Sequence, residues 1–505
     1  MKTRALKKLL IANRGEIALR IIRSARVMGL KTVAVFSEAD AAMAHVAEAD
    51  EARLIGAAAP SQSYLNIQAI LEAAKASGAD AVHPGYGFLS ERPEFASAVA
   101  NAGLIFVGPP AEVMAAMGDK VAARRVSVSI GVPVVPGSEV ADPASARAFV
   151  LEAGLPILVK AAAGGGGRGM RIVERAADLE AALSAAAREA EAAFGDGRLF
   201  LEKYLARPRH IEVQLLADHH GKIVALGERE CSVQRRHQKI IEESPSPAVS
   251  ERLRAKMIEA AIRLARAAGY RNAGTVEFLL DGDAFYFLEV NARLQVEHPI
   301  TEIRFGCDLV SEQIKLAAGE PVADPLTPRD HAIECRIYAE DAEHDFRPAT
   351  GKVLHLRHPG GPGVRLDTFL ASGVEIGAYY DGLLAKLICS GEDREQARRR
   401  TMLALDEFAL LGVTNTAAFL RDVVASPAFE RGELSTHFIE ENFPHWHCGE
   451  QGADAALLAA ALVAQRILGA DRVAAAAEAR PGAAAATKPR SPWEALADYR
   501  PWGRA

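Results

Sequence analysis

The sequence predicts an α/β and α+β protein of several domains, with a doubly wound parallel sheet at the amino end and two mixed regions after it. Three observations predict it. Up to Pro109, short apolar runs alternate with segments whose apolar residues recur at helical spacing. Near Val132 this rhythm gives way to strand-loop-strand patterns around the run KAAAGGGGRGM (160–170). Later strands arrive as antiparallel hairpins, of which TVEFLLDGDAFYFLEVNARLQVEHP (275–299) is the most regular.

Taken in order, KLLIAN (8–13) reads as a strand leading into a helix in which Ile17, Leu19, Ile22 and Val27 recur up to Gly29, and TVAVFS (32–37) as the next strand. The same order returns in YLNIQAILEAAKASG (64–78) with DAVHPGYG (80–87), and again before GLIFVGP (103–109), which makes a βαβαβ series. Ligands on such sheets sit beyond the carboxyl ends of strands, where NRGE (13–16) and HPGYGF (83–88) fall. In the second region Asp142 reads as an N-cap, Pro143 as the first helical residue and Gly154 as the stop, before PILVKAAAGGGGRGMRIV (156–173) forms strand, loop and strand. RLFLEKYL, HIEVQLLAD and KIVALGERECSV follow as antiparallel strands, then a helix from Glu251 to Ala268 and a hairpin turning at Asp281-Gly282-Asp283. From His331 to Pro444 strands precede helices such as DREQARRRTMLALDEFALLG (393–412). Beyond Cys448 an Ala-rich helix leads into the linker-like AEARPGAAAATKPRSP (477–492). The expected domains are 1–118, 119–330 with a flexible lid at about 132–204, 331–447, and a tail over 448–505.

The chain has 505 residues, half of them hydrophobic and a quarter charged, which excludes disorder of the whole. A net charge of −6 gives no general basic field for nucleic acid, so any anion site is local. The cysteines Cys231, Cys307, Cys335, Cys389 and Cys448 are scattered without CxxC spacing, which argues for a reducing compartment and against zinc. The apolar core at Leu9–Ala12 is too short for a signal peptide, and Ala455–Ala464 is about half a membrane span, so the expectation is a cytoplasmic protein with no membrane contact.

Gly164, Gly165, Gly166, Gly167 and Gly169 cost folding free energy wherever they sit in a regular element, so close backbone approach should offset that cost. Gly164, Gly166 and Gly169 match GxGxxG formally, but MRIV resumes a strand rather than opening a helix, and no GK[ST] follows. What remains is a surface loop or a hairpin of bare amides that closes over a polyphosphate, with Lys160 as a point charge beside it. In the later hairpin Glu289, Asn291, Arg293, Gln295 and Glu297 alternate with apolar residues and share one side. A turn centred on Gly282 sets Glu277 opposite Phe287 and diagonal to Glu289, on that same side. Glu277 stands in the apolar strand TVEFLL and needs a partner there. Two carboxylates and an amide oxygen suit Mg²⁺ or Mn²⁺, unless the strand is simply an amphipathic edge. Arg229, Arg235, Arg236, His237 and Lys239 crowd RECSVQRRHQK (229–239), with His210 in RPRH; neighbouring glutamates cancel the field, which favours a compact anion site over nucleic acid. HWHC (445–448) reads as terminal packing, and Cys231 receives no role.

A glycine flap, a lysine and an acid/acid/Asn set resemble the ATP-grasp superfamily, and the motifs IANRGEIALRI, HPGYGFLSE, GDK, GGGGRGM, EKYL, RHIEVQ, CSVQRRHQK, EVNARLQVEHP, ECRIYAED and YYDGLLAKL in this order resemble biotin carboxylase up to about residue 447. The resemblance implies an ATP-grasp lid and core, a ligase using ATP and Mg²⁺ or Mn²⁺, and carboxylation of biotin by bicarbonate through carboxyphosphate. It implies that Lys120, Lys160 and the flap glycines hold ATP phosphates, that Glu202, Lys203 and Leu205 line the adenine site, and that Leu279 also belongs to the ATP site. His210, Gln234 and His237 would hold the ribose and nearby groups, and Glu277, Glu289 and Asn291 the metal ions. Lys239, Arg293, Gln295 and the Val296 amide would hold bicarbonate with Glu297 as base, and Arg336 and Tyr86 would face biotin. Ala162 and Ala163 depart from the family's flap pattern, which bears on closing rate. With the Met-Lys pair only at the start, biotin is expected on a carrier protein or on a missing domain of a longer subunit. SPWEALADYR (491–500) resembles the region after this domain in acyl-CoA carboxylase α subunits of the methylcrotonyl or propionyl type. The family resemblance further implies a carboxyltransferase partner and a homodimer. The competing readings are another ATP-grasp ligase and a silent scaffold subunit.

Overall fold

The computed structural model describes residues 4–140, 142–161, 170–194, 197–325, 327–449 and 461–462. Met1–His447 form one compact unit and Cys448–Ala505 a second; the expected Ala-rich helix and linker lie outside the described residues. No helix among the described residues is long and apolar enough to cross a membrane.

Five parallel strands, β1 (Lys8–Ile11), β2 (Lys31–Ser37), β3 (Glu51–Gly56), β4 (Ala81–His83) and β5 (Ile105–Phe106), stand in the order β3-β2-β1-β4-β5. Leu10, Ile11, Val33, Val35 and Val82 are fully buried, as strands covered by helices on both faces require. The helices Gly15–Val27 and Ile67–Ser77 fall where the apolar spacing put them. Edge strand β3 escaped the pattern because Arg53 and Leu54 are exposed and little alternation survives. The loops after β1 and β4 flank the point where the winding reverses, the place where such sheets take ligands. There Asn13 Nδ2 donates to Pro84 O at 2.7 Å and Tyr86 O at 2.8 Å. Gly85 makes that approach possible: its φ is +65°, and a Cβ would lie 2.9 Å from Asn13 Nδ2.

A small antiparallel sheet of β6 (Gly137–Glu139), β7 (Ile157–Ala161), β8 (Arg171–Val173) and β9 (Leu199–Lys203) has the order β6-β9-β7-β8. The helix Pro143–Ala153 starts on an Asp142–Ser145 capping box and stops at Gly154, as expected. A second helix, Leu179–Phe194, was not anticipated, because its buried face of Leu179, Leu183, Ala186 and Ala190 is half alanine and carries weak contrast.

The largest sheet is antiparallel. Its strands β10 (Arg209–Ala217), β11 (Ile223–Arg235), β12 (Gln238–Ser244), β13 (Asn272–Asp281), β14 (Ala284–Asn291), β15 (His331–Tyr338), β16 (Val364–Thr368) and β17 (Leu383–Gly391) are ordered β14-β13-β10-β11-β12-β15-β17-β16. The helix Glu251–Ala267 packs Leu253, Met257 and Leu264 against Ile211, Val213 and Val276. Strands from either side of residue 330 belong to this one sheet, since Ile241 pairs with Cys335 and Glu242 with Glu334.

Two details of the β13–β14 hairpin correct the expected register. Asp281 pairs with Ala284, so the turn is the two residues Gly282 and Asp283, with Gly282 at φ +57°. A bulge then slips the ladder between Phe278 and Glu277, so that Phe287 faces Phe278 while Glu277 directly faces Glu289. The alternation also stops sooner than expected. β14 ends at Asn291, Arg293 and Gln295 lie in a loop, and Glu297 immediately precedes the helix His298–Phe305, whose first turn accepts Pro299 because no N–H is needed there.

Candidate active site

β10 brings His210, Glu212 and Gln214 to one face, and β11, β13 and β15 add Arg229, Glu277 and Arg336 around them. At the centre, Lys239 Nζ lies 2.8 Å from Glu212 Oε2, 2.9 Å from Glu277 Oε1 and 2.8 Å from Glu297 Oε1. Arg229, fully buried, donates Nε to Glu212 and Nη1 to Gln214 Oε1 at 2.8 Å. Arg336 Nη2 reaches Glu297 Oε2 at 2.9 Å and Glu242 Oε1 at 2.5 Å.

Burial alone would lift the Glu277 and Glu297 carboxyls. The Lys239 ammonium outweighs it, joined by His210 at Glu277 and by Arg336 and Arg229 at Glu297, and holds both well below the usual carboxylate range. Burial would likewise lower Lys239, yet the three carboxylates hold it well above its ordinary value. Glu242 goes the other way: burial pushes it up to about 7 against the pull of Arg336. Cys231 sits in the same cluster, its Sγ 3.9 Å from Glu297 Oε1, and burial pushes its thiol well up, which leaves it a poor nucleophile.

The hairpin supplies the opposite wall. Asn291 Nδ2 and Gln295 Nε2 donate to Glu277 Oε1 at 2.8 and 3.0 Å. Arg293 Nη1 donates to Gln295 Oε1 at 2.7 Å and Nη2 to Asn291 Oδ1 at 3.0 Å. Gln234 Nε2 donates to His210 Nδ1 at 2.7 Å, so His210 Nε2 carries the proton that points to Glu277 Oε2, 2.7 Å away.

One cavity of about 980 Å³ collects His210, His237, Lys239, Glu277, Glu289, Asn291, Arg293, Gln295, Val296 and Arg336 with Tyr86 and the residues of NRGE. Glu297 lies just behind this wall, held by Lys239 and Arg336. Gln234 acts on the cavity through His210, and Leu279 pairs with His210 across β10 and β13. Four others stand apart, on or beside the small sheet: Lys160 pairs with Glu202, which Arg124 also approaches at 3.4 Å, while Lys203 is exposed and Leu205 buried. Lys120 opens the helix Lys120–Ser129. The flap residues Ala162, Ala163, Gly164, Gly165, Gly166, Gly167 and Gly169 lie outside the described residues.

Two close groups of possible metal ligands, His210/Glu212/Glu277 and Glu212/Cys231/Glu297, surround the Lys239 ammonium, which already supplies the positive charge. The face of Glu277, Glu289 and Asn291 fits a hard divalent ion better. Its donors are oxygens, the two carboxylates face each other directly across the strands, and all three line the cavity. Sequence reasoning missed two buried charges, Glu212 at Lys239 and Lys386 on β17. Both carried the signal that exposed Glu277, a charge within an apolar strand, in HIEVQLLA and LLAKLICSG. Trp446 does pack at the terminus, edge-on to Phe419 at 5.4 Å.

Residues 5–114 match the model of the biotin carboxylase N-terminal domain, 119–324 that of the carbamoyl-phosphate synthase L chain ATP-binding domain, and 334–441 that of the biotin carboxylase C-terminal domain. The chain is 49% identical over 440 residues to the biotin carboxylase of Nostoc sp., covering 86% of this chain and 98% of that protein. It is 47% identical over 442 residues to the biotin carboxylase of Pseudomonas aeruginosa, again covering 86% and 98%. The biotin carboxylase of Campylobacter jejuni, solved in complex with beta-gamma-ATP, superposes with a TM-score of 0.81 at 44% identity, covering 87% of this chain and 99% of that one. The biotin carboxylase domain dimer of Hydrogenobacter thermophilus 2-oxoglutarate carboxylase, solved with MgADP, ADP and bicarbonate, does so at 0.81 and 42%, covering 88% and 99%. With its three regions matched in order and a lysine-centred carboxylate cluster at their meeting point, the chain belongs to the biotin carboxylase family.

Proposed function

We propose that the cavity phosphorylates bicarbonate with ATP and carboxylates biotin, the first half-reaction of an acyl-CoA or related carboxylase. The observation that carries this reading is the Lys239 ammonium within 2.9 Å of three carboxylates, one of which, Glu297, is also held by Arg336. Bicarbonate is a weak nucleophile and needs its proton removed as it attacks. Glu297 is ionised at neutral pH and takes that proton; an incoming anion that shares Lys239 and Arg293 raises its basicity. Arg293 offers a planar fork to the planar anion, beside Gln295 and the Val296 amide. The bicarbonate oxygen then bonds to the γ-phosphorus, the bond to ADP breaks, and carboxyphosphate results.

His210, with Gln234 behind it, and His237 orient the nucleotide, Leu279, Glu202, Lys203 and Leu205 contribute the base site, and Lys120, Lys160 and the glycine flap cover the phosphates. Glu277, Glu289 and Asn291 would hold Mg²⁺ or Mn²⁺, which supplies neutralisation of phosphate charge when bound. Arg336 and Tyr86 face biotin: Arg336 stabilises the enolate oxygen that forms when the ureido N–H of biotin loses its proton, and that nitrogen then bonds to the carboxyl carbon of carboxyphosphate as the bond to phosphate breaks, the released phosphate taking the proton. In the same reading the biotin arrives on a carrier protein or domain, a carboxyltransferase consumes the product, the chain works as a cytoplasmic homodimer, and the regions divide at 118, 330 and 447.

Phosphate release from ATP, with bicarbonate and free biotin omitted in turn, tests the reading. Cleavage should require bicarbonate and accelerate with biotin, and Glu297→Gln should lower it about 10³-fold. Turnover indifferent to both would favour another ATP-grasp ligase. No turnover whatever would favour a scaffold role.

A further inference from the structure

Two buried titratable side chains behind Tyr86, Glu16 and Lys386, have no part in the roles above; burial pushes the Glu16 carboxyl up to about 7 against the pull of Lys386. Lys386 on β17 is 0% exposed, and its flanking residues Leu384, Ala385, Leu387 and Ile388 belong to the core. Its Nζ donates to Val296 O at 3.0 Å and lies 3.3 Å from Glu16 Oε1, 3.9 Å from Asp367 Oδ2 and 5.8 Å from the centre of the Tyr86 ring. Glu16, in the first turn of the helix Gly15–Val27, accepts a hydrogen bond from the Tyr86 hydroxyl through that same Oε1. Glu16 also forms part of two cavity walls, that of the site and that of a second cavity of about 320 Å³ shared with Arg20, Glu302 and Arg365.

An ion pair at such depth is a poor device for stability alone, because a well-packed apolar pair of similar volume usually serves as well or better. What it supplies is direction. The Val296 carbonyl that Lys386 holds belongs to the peptide leading into Glu297, while the Glu16 oxygen beside it fixes the Tyr86 hydroxyl. Directly or through Glu16, one ammonium thereby ties together the start of the helix Gly15–Val27, the loop after β4, the loop 293–297 and β17, four segments separate in sequence. We propose that Lys386 and Glu16 are positioning residues, which set the Tyr86 hydroxyl and the Val296–Glu297 peptide in fixed relation so that biotin and the activated carboxyl group meet. This rests on the proposed biotin carboxylase reaction.

Steady-state kinetics of the full chain with free biotin test it. Glu16→Gln keeps the shape and removes the charge; it should raise the KM for biotin about tenfold while the KM values for ATP and bicarbonate stay within about twofold. Lys386→Met loses both tethers and should raise the KM for biotin and for bicarbonate about tenfold each, again sparing ATP. Because Glu16 acts through the tyrosine, adding Glu16→Gln to Tyr86→Phe should cost less than about threefold more. A Glu16→Gln chain with an unchanged biotin KM, or one in which all three KM values move together, overturns the proposal. If Lys386→Met does not fold, Glu16→Gln and the double variant decide alone. A parent chain whose ATP cleavage ignores biotin would instead sink the reaction itself, a result distinct from a responsive parent with indifferent variants.

Discussion

Each of the two large sheets carries a set of buried titratable side chains, and the two sets stand in opposite states. In the eight-stranded sheet Lys239, Arg229 and Arg336 meet Glu212, Glu277 and Glu297 at hydrogen-bonding distance, and Lys239, Glu277 and Glu297 are held in their charged forms. Around the parallel sheet His45 and His83 are fully buried, and burial lowers them to about 4 and about 3. His83 Nδ1 accepts from the Gly85 amide at 3.0 Å, which a protonated ring could not do. Taking charge out of water costs several kcal/mol per ion, and a protein either matches it or discharges it. A matched cluster keeps a strong field that can act on a substrate anion at neutral pH, whereas a discharged imidazole can only pack and accept.

Breaking the match should have the largest effect. Lys239→Met leaves three carboxylates facing one another without their shared cation, and should cost about 3–5 kcal/mol in denaturant unfolding; a loss under about 1 kcal/mol would mean that neighbouring groups already balance the cluster. Acid should separate the two regions next. Unfolded, His83 takes up a proton near its ordinary 6.5, but folded only near 3, so the stability it contributes is complete above 6.5 and is lost as pH falls toward 3. At pH 5 this is about 2 kcal/mol, and His83→Asn should flatten the fall of melting temperature between pH 7 and pH 5. Equal slopes in the two proteins would remove His83 from the account. The ionised Glu277 and Glu297 behave otherwise, since their contribution persists above the ordinary carboxylate value and is lost only below it. The smallest effect sharpens the functional side. Arg236 and His237 form the two-residue turn between β11 and β12 with φ of +48° and +67°, where Asn-Gly is preferred. Replacing the pair by Asn-Gly should add about 1 kcal/mol of stability while raising the KM for ATP, because His237 leaves the cavity wall. A more stable chain with unchanged KM would make the strained turn incidental.

Local chemistry was legible in the sequence. Asp142, Pro143 and Gly154 bound their helix as expected, and the loops NRGE and HPGYGF reached the cavity because parallel sheets take ligands where their winding reverses. Glu277 betrayed itself as a charge in an apolar strand, and its pairing with Lys239 and His210 is the compensation such a charge requires. Less visible was everything fixed by distant partners. The slip that sets Glu277 opposite Glu289 arises from a bulge with no glycine or proline to mark it. Glu212 and Lys386 acquire meaning only once β10 and β17 have neighbours. The union of β12 with β15 joins residues nearly a hundred positions apart, beyond the reach of any periodicity.

That union has a consequence for anyone who would build hybrids of this enzyme with its relatives. A crossover at residue 330 looks convenient in the sequence, yet it would place hydrogen-bonded neighbours on segments of different parentage, so that β12 along Ile241–Ser244 must pair with a foreign strand. It would also demand that the donor's β15 and β17 supply the arginine for Glu297 and the lysine for Val296 in matching register. The four-stranded sheet between Gly137 and Lys203, whose strands pair among themselves, is the more natural cassette to exchange.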